Sequence, residues 1–437
     1  MGFIGFRGIY PFAKKLTTGE DIKHLKPVGF YNVPLKINEI IESEPVIKIG
    51  DSVKQGTLIA KPAGRVGVNI YSPVSGKVLN IVNKTNSRGE SVKHVLIMKD
   101  DKDEVVDLPA MEAMSDANLV ARMRDAGMVD NVLNVPSHLK YSYMGARSYK
   151  HLLILLDSTD PNNTVNQAIT EYRMEEVVNG AKYFMNITAA SSITFVFTES
   201  NAKLASKLKK HIMDSKKNYD FKIRFIPNKY PFDNPYTLVK ILLRKNISED
   251  NSFLKEGIAI ETAESCYNLC RAVEFNKPVI SKIVTVDGSN IARPGNYIVL
   301  NGYSYQNLLD EVGIVNLEAK SQLIDGNMLS GIAQHSTDIS MSLMTDTILF
   351  IQHDVLEKMD ENPCISCGKC VSVCPMFLNP TVLDEAYQNE NYSKLEKMNV
   401  HSCIECGCCS YVCPSRRYLT QRIAAGKFYD RQRRNRG

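Results

Sequence analysis

A chain of 437 residues exceeds what one hydrophobic core usually supports and predicts about two to four domains. Its 44% hydrophobic and 23% charged residues exclude extensive disorder, no apolar run approaches the roughly 20 residues of a membrane span, and residues 1–18 lack the sections of a secretory signal, so the expected location is the cytoplasm. The formal charge of +5 suggests nucleic acid only until the C-terminus is inspected: Arg431, Arg433, Arg434 and Arg436 supply four of those charges, leaving a nearly neutral body and no nucleic-acid partner.

Residues 43–80, "SEPVIKIGDSVKQGTLIAKPAGRVGVNIYSPVSGKV", alternate apolar residues with turns at Gly50-Asp51, Gly56, Gly64 and Ser75-Gly76, which predicts short strands joined by tight turns. The segment resembles the barrel-sandwich fold of biotinyl and lipoyl carriers. Those carriers load a lysine eight residues before the proline of "SPVSGKV"; here that position is Arg65, which excludes the carrier function and leaves a docking or structural role.

A helix capped by Ser115 is expected through Leu119, Val120 and Met123, followed by a buried strand at 152–156. "SSITFVF", "NAKLASKLKKHI" and "FKIRFI" then read as strand, amphipathic helix and strand, a right-handed β-α-β unit of the kind that holds nucleotides at strand ends. "ESCYNLCRAVEF" reads as a helix with Cys266 and Cys270 on one buried face. From 281 to 316, strands "IVTVDG" and "YIVL" and the helix "YQNLLDEV" predict a compact α+β unit, which resembles the SLBB module, a ubiquitin-like grasp.

Nine of the eleven cysteines lie between Cys364 and Cys413, which without an export signal argues for metal rather than disulfides. Cys364, Cys367, Cys370 and Cys374, then Cys403, Cys406, Cys409 and Cys413, each form C-x2-C-x2-C-x3-C followed by proline. This is the two-cluster ferredoxin run, in which the fourth cysteine of each motif serves the other cluster. One [4Fe-4S] cluster is expected on Cys364, Cys367, Cys370 and Cys413, and the second on Cys403, Cys406, Cys409 and Cys374. Cys408 sits between two ligands and is expected to point elsewhere. Zinc sites also use C-x2-C pairs, but usually as two pairs separated by roughly a dozen or more residues.

The series barrel-sandwich, α/β, SLBB and dicluster ferredoxin, with the opening "FRGIYPFAKKLTT", resembles the RnfC family, whose members include electron-input subunits of ion-pumping ferredoxin:NAD oxidoreductases and soluble cobalamin reductases and proline-reductase-associated proteins. The resemblance implies an N-terminal arm at 1–25, a barrel-sandwich lipoyl-like domain at 26–100, a Rossmann-like α/β domain at 101–250, an SLBB-containing region at 251–350, a ferredoxin-like domain at 351–425 and a basic tail at 426–437. It also implies two [4Fe-4S] clusters, an FMN that converts the hydride of NADH into single electrons, and redox partners such as a ferredoxin, a flavoprotein or other members of a complex, through which alone the chain would meet a membrane face.

The family's flavin loop, roughly G-x-G-G-A-G-F-P-T-x-x-K, corresponds to "AGMVDNVLNVPSHLK" at 126–140, where Pro136 and Lys140 remain but the glycines have become Asp130 to Val135. Glycines there would let backbone N–H groups approach a phosphate. The family's acidic segment corresponds to 156–163, keeping Asp160, and a further ligand segment corresponds to "PFDNP" at 231–235. Lys140 and Asp160 are the remaining cofactor-binding candidates, against the readings of a solvated cation for Lys140 and of ordinary turn chemistry for Asp157 and Asp160. The expectation is an iron–sulfur electron-transfer protein whose own NADH/FMN site is weakened or lost; the alternatives are a complete NADH-oxidising flavoenzyme and a scaffold with structural clusters. The basic tail reads as a solvated, disordered end, or as a dock for an acidic partner or membrane surface.

Overall fold

The computed structural model describes residues 5–11, 15–37, 42–64, 67–142, 149–215, 220–247, 253–352 and 360–436; Arg65 lies outside them. Near the N-terminus, Phe30–Pro34, Ser91–Lys99, Gly76–Thr85 and Ser52–Val53 form one antiparallel sheet in that order, and Ser43–Pro45, Leu58–Pro62 and Ile70–Tyr71 form a second. Alternation along these strands sends Tyr31, Val33, Ile59, Val78, Val95 and Ile97 into a shared interior. This is the barrel-sandwich arrangement.

Ser115 caps the helix Asp116–Asp125 by accepting the Asn118 N–H. Beyond it, Phe221–Ile226, Ile193–Thr198, His151–Leu155 and Ile258–Thr262 build an all-parallel sheet in that spatial order. The middle strands carry near-continuous apolar runs because helices cover both faces. The fourth strand and the helix Ala263–Glu274 extend this unit beyond the boundary expected at 250, since Ile258–Thr262 pairs with His151–Leu155 across more than a hundred residues. Cys266 and Cys270 are buried on that helix.

A six-stranded mixed sheet follows, in the order Ile22–His24, Gly295–Leu300, Ser281–Asp287, Thr347–Gln352, Ser321–Asp325 and Ile332–Ala333, with the helix Tyr305–Val312 packed on it. Its edge strand comes from the N-terminal arm, which is therefore built into the body rather than set apart. The arm also reaches the C-terminal region: Arg7 donates to the carbonyl of Val371 at 2.9 Å and stacks over Phe377, while Ile9 bridges Tyr230.

The C-terminal region is helical around its cysteine loops, with Pro380–Gln388, Tyr392–Lys397 and Leu419–Arg436 as its main helices. The expected solvated tail is corrected here. Leu419–Arg436 is one continuous helix, anchored where the buried Asp430 meets His401 Nε2 at 2.7 Å and pairs with Arg433 and Arg434.

Candidate metal centre and adjoining cavity

The two cysteine loops repeat one backbone geometry. Ser366 and Glu405 both take positive φ, and each directs its N–H to the Sγ two residues earlier, Cys364 and Cys403, at 3.4 Å. Gly368 and Gly407 follow in the left-handed region, and Phe377 and Arg416 repeat it after the fourth cysteine. Cys370 Sγ lies 3.2 Å from Thr381 Oγ1, and Cys409 Sγ 3.4 Å from Thr420 Oγ1. Non-glycine residues at positive φ are costly, so their matched recurrence reflects a constraint on the sulfurs.

The loops differ in surroundings. Residues 362–369 are exposed throughout, Cys364 and Cys367 included, and a Cβ on Gly368 would meet nothing. A Cβ on Gly407 would lie 2.1 Å from the carbonyl oxygen of Leu329, because the second loop is pressed against the body of the protein.

Cys374, Cys403, Cys406 and Cys409 line one small, predominantly apolar cavity, closed by Leu383, Ile404 and Ile423. Burial pushes the Cys403 thiol up to about 12 and the Cys409 thiol up to about 11. Such sulfurs become thiolates only against a positively charged core, and backbone N–H groups already point at Cys374 and Cys403, so the donor set suits an inorganic cluster. Among the described residues, no three His, Cys, Asp or Glu side chains gather closely enough for a single ion. Cys408 also borders the cavity, beside Cys406, whose thiol it pushes up ahead of the effect of burial; its own Sγ faces the Tyr230 carbonyl and packs with Ile9 and Tyr230.

Immediately beyond Cys406 lies a larger cavity of about 620 Å³, bounded by the 131–134 loop, the 158–166 segment, 230–235 and Asn327 to Ile332. These segments are stitched together: Asp233 accepts from Ser158 Oγ at 2.6 Å and Thr159 N at 3.0 Å, and Asn327 donates to Asp160 Oδ2. Asp160 thus lines the cavity, with burial raising its pKa and its Oδ1 accepting the Asn162 N–H at 2.9 Å. Asp157 instead sits at the strand end, holding Asn201 at 2.6 Å with Lys15 3.9 Å away.

Lys140 is a correction to both sequence readings. Its ammonium is fully buried, outside the cavity, donating to Asp130, to Glu261 Oε1 at 2.6 Å and to the Ile260 carbonyl. Asp130 lies ten residues back and Glu261 on a separate strand, and together they neutralise the buried ammonium. Glu264 and Lys282, which sequence reading passed over, form a second buried group: Lys282 lies 3.6 Å from Glu264 and contacts Asp346, while burial pushes the Glu264 carboxyl up to about 7. Nothing in the local sequence marks either group, since each is assembled from separate elements.

The 130–135 loop does not fit an FMN phosphate. Asp130 Oδ1 already accepts the N–H groups of Val132 at 2.9 Å and Leu133 at 2.6 Å, and its other oxygen holds Lys140.

Residues 4–102 match the RnfC barrel sandwich hybrid domain, residues 125–271 the Nuo51 FMN-binding domain, and residues 357–414 a 4Fe-4S dicluster domain. The chain is 28% identical over 393 residues to a component of the proton-translocating ferredoxin:NAD(+) oxidoreductase complex of Clostridium ljungdahlii, covering 89% of this chain and 85% of that protein. It is 26% identical over 400 residues to a component of the Na(+)-translocating ferredoxin:NAD(+) oxidoreductase complex of Acetobacterium woodii, covering 89% and 88%. A solved NAD+-reducing [NiFe]-hydrogenase shares the fold at a TM-score of 0.51 and 12% identity, over 74% of this chain and 63%, less than two thirds, of the other. The dicluster match makes the chain an iron–sulfur protein of electron transport, and the three domain matches in this order, with relatives aligned over most of both chains, place it in the RnfC family.

Proposed function

We propose that the chain passes single electrons through two [4Fe-4S] clusters between redox partner proteins, one cluster on Cys364, Cys367, Cys370 and Cys413 and the other on Cys403, Cys406, Cys409 and Cys374. Within this reading the parallel α/β unit is Rossmann-like and the 281–352 unit is an SLBB-type grasp. Any contact with a membrane is made through partner proteins; no helix among the described residues is long and apolar enough to cross one. The observation that carries the reading is the pairing of a cluster-competent cysteine set, with Cys406 on the wall of the α/β cavity, and a phosphate loop whose N–H groups are already engaged by Asp130. A hydride donor needs a flavin to reach one-electron clusters, so the electron source is another protein.

The second reading, an NADH-oxidising FMN/Fe-S input component, is favoured by the match to an FMN-binding domain and by the names of the relatives. Anaerobically purified protein given FMN and NADH separates the two. Slow loss of visible cluster absorbance, with rapid loss on adding a reduced ferredoxin or flavoprotein, supports the first reading. Rapid NADH-dependent reduction establishes the second.

A further inference from the structure

Arg7 contacts the chain on both sides of Cys374. Its guanidinium donates to the carbonyl of Val371, which precedes that cysteine, at 2.9 Å and lies 4.5 Å over the ring of Phe377, which follows it. Lys240, on the helix Pro235–Leu243 of the α/β unit, places its ammonium 3.5 Å from the centre of the same ring. Both side chains are half-buried, and among the described residues no carboxylate pairs with either. Burial lowers the Lys240 pKa and the Arg7 charge lowers it further, while a Cys374 thiolate draws it back up. The Cys374 thiol, pushed up by burial, is drawn down by the N–H groups of Leu378 and Met376 and by Arg7.

The repeat supplies a comparison. After the fourth cysteine of each motif the chain turns back through the same hydrogen bond, from the Phe377 N–H to the Cys374 carbonyl at 3.1 Å and from the Arg416 N–H to the Cys413 carbonyl at 3.0 Å, with both residues at positive φ. The second motif thus carries a cation of its own, Arg416, where the first has a phenyl ring that gathers two cations from distant parts of the chain. Lys229 and Arg244 widen the positive region: Lys229 donates to the Phe6 carbonyl at 2.9 Å, and Arg244 lies 5.0 Å over the Phe6 ring. Like charges held close together and partly out of water are costly unless a negative charge stands beside them. A four-iron cube on four thiolates is such a charge, and it becomes more negative on reduction.

We propose that Arg7 and Lys240 are the countercharge of the cluster that Cys374 serves, and that they raise its reduction potential by favouring the reduced, more negative state. The proposal rests on the reading above that the clusters carry electrons, and it names the residues that tune one of them. Both cations act on the cluster through space rather than as ligands, and they work against the cost of burying it.

The test is a potentiometric titration of holoprotein, followed by electron paramagnetic resonance, on the unmodified chain and on Arg7→Gln, Lys240→Gln and the double variant; the signal lost in Cys374→Ser identifies the cluster concerned. At a given potential the double variant should hold about tenfold less of that cluster in the reduced form, about 59 mV for a one-electron couple, with each single variant shifted part of the way and the other cluster shifted less. Arg7→Lys, which keeps the charge, should stay near the unmodified potential. If substitution of Arg7 costs iron, Lys240→Gln, whose ammonium meets a ring rather than a backbone carbonyl, carries the test alone. Unchanged potentials in the neutral variants, equal shifts of both clusters, or an Arg7→Lys variant that falls as far as Arg7→Gln overturn the proposal. Electron delivery to a ferredoxin or flavoprotein, measured on the same samples, reports the electron-transfer reading separately: clusters that titrate and shift as described but hand no electron to either carrier lose that reading and keep this one.

Discussion

The Cys408 thiol stands 4.0 Å from the carbonyl oxygen of Tyr230, in a pocket shared with Ile9, while the cysteines on either side of it line the cavity enclosed with Cys374. Its neighbours in space are Ile9 of the N-terminal arm, Tyr230 of the α/β unit, Leu329, and Val373, Cys406 and Val412 of the cysteine region, so it packs the second loop against the body of the protein.

Replacing Cys408 with serine should therefore leave about eight iron and eight sulfide per chain, the content of two four-iron cubes. Cys374→Ser should deplete the cluster of the second loop, and Cys413→Ser that of the first. Iron and sulfide assays with electron paramagnetic resonance of each reduced variant check this. Equal iron loss from the Cys408 and Cys374 variants would refute the ligand assignment.

Lys140→Met should destabilise the protein by about 3–5 kcal/mol, because it leaves Asp130 and Glu261 buried without their shared cation. Urea unfolding followed by circular dichroism measures the loss. A change below about 1 kcal/mol would mean that the three groups do not form the buried unit described.

Glu264 gives a pH dependence of definite sign. Burial raises its pKa from 4.5 to about 7, so folding favours the protonated form. Its contribution to stability is complete below pH 4.5 and is lost as pH rises through about 7. Glu264→Gln, which cannot ionise, should gain on the unmodified protein between pH 5 and pH 8 in chemical denaturation. A difference between the two proteins that stays constant across that interval would contradict the assignment.

Gly407→Ala and Gly368→Ala form a matched pair. Both residues have positive φ, so each alanine carries a backbone cost of roughly 1–2 kcal/mol, but only the Gly407 variant drives a Cβ into the Leu329 carbonyl. Gly407→Ala should lower thermal stability more and shed iron faster on exposure to a chelator. Equal behaviour would show that the second loop does not bear on the body.

The part of this architecture legible in the sequence is the part fixed over short distances. Cysteine spacing named the cluster motifs, and the apolar runs at 152–156 and 193–197 gave the parallel strands, because those patterns depend on residues a few positions apart. Lys140 could not be read that way: one of its partners, Glu261, is brought to it by pairing of the strands His151–Leu155 and Ile258–Thr262. The C-terminal arginines misled for a related reason. A run of like charges suggests a solvated end, yet Asp430 among them is fully buried against His401, and that single contact converts the tail into a docked helix. The arm-to-body contacts of Arg7 and Ile9 were equally invisible, as each spans more than two hundred residues.

Duplicated loops of one geometry, one pressed against Leu329 and the other open to solvent, amount to a natural experiment in dielectric. Sulfur ligation and N–H···S bonding are held nearly constant between them, so the difference in reduction potential falls to burial and neighbouring charge. Adding an electron to an anionic cluster costs more where water is excluded, so under the proposed cluster assignment the Cys406 side would be the more reducing centre and the Cys364 side the electron sink. On that assignment an electron entering from the α/β cavity would run downhill to the exposed loop, and a docking protein that dries the Cys364 surface would oppose that current.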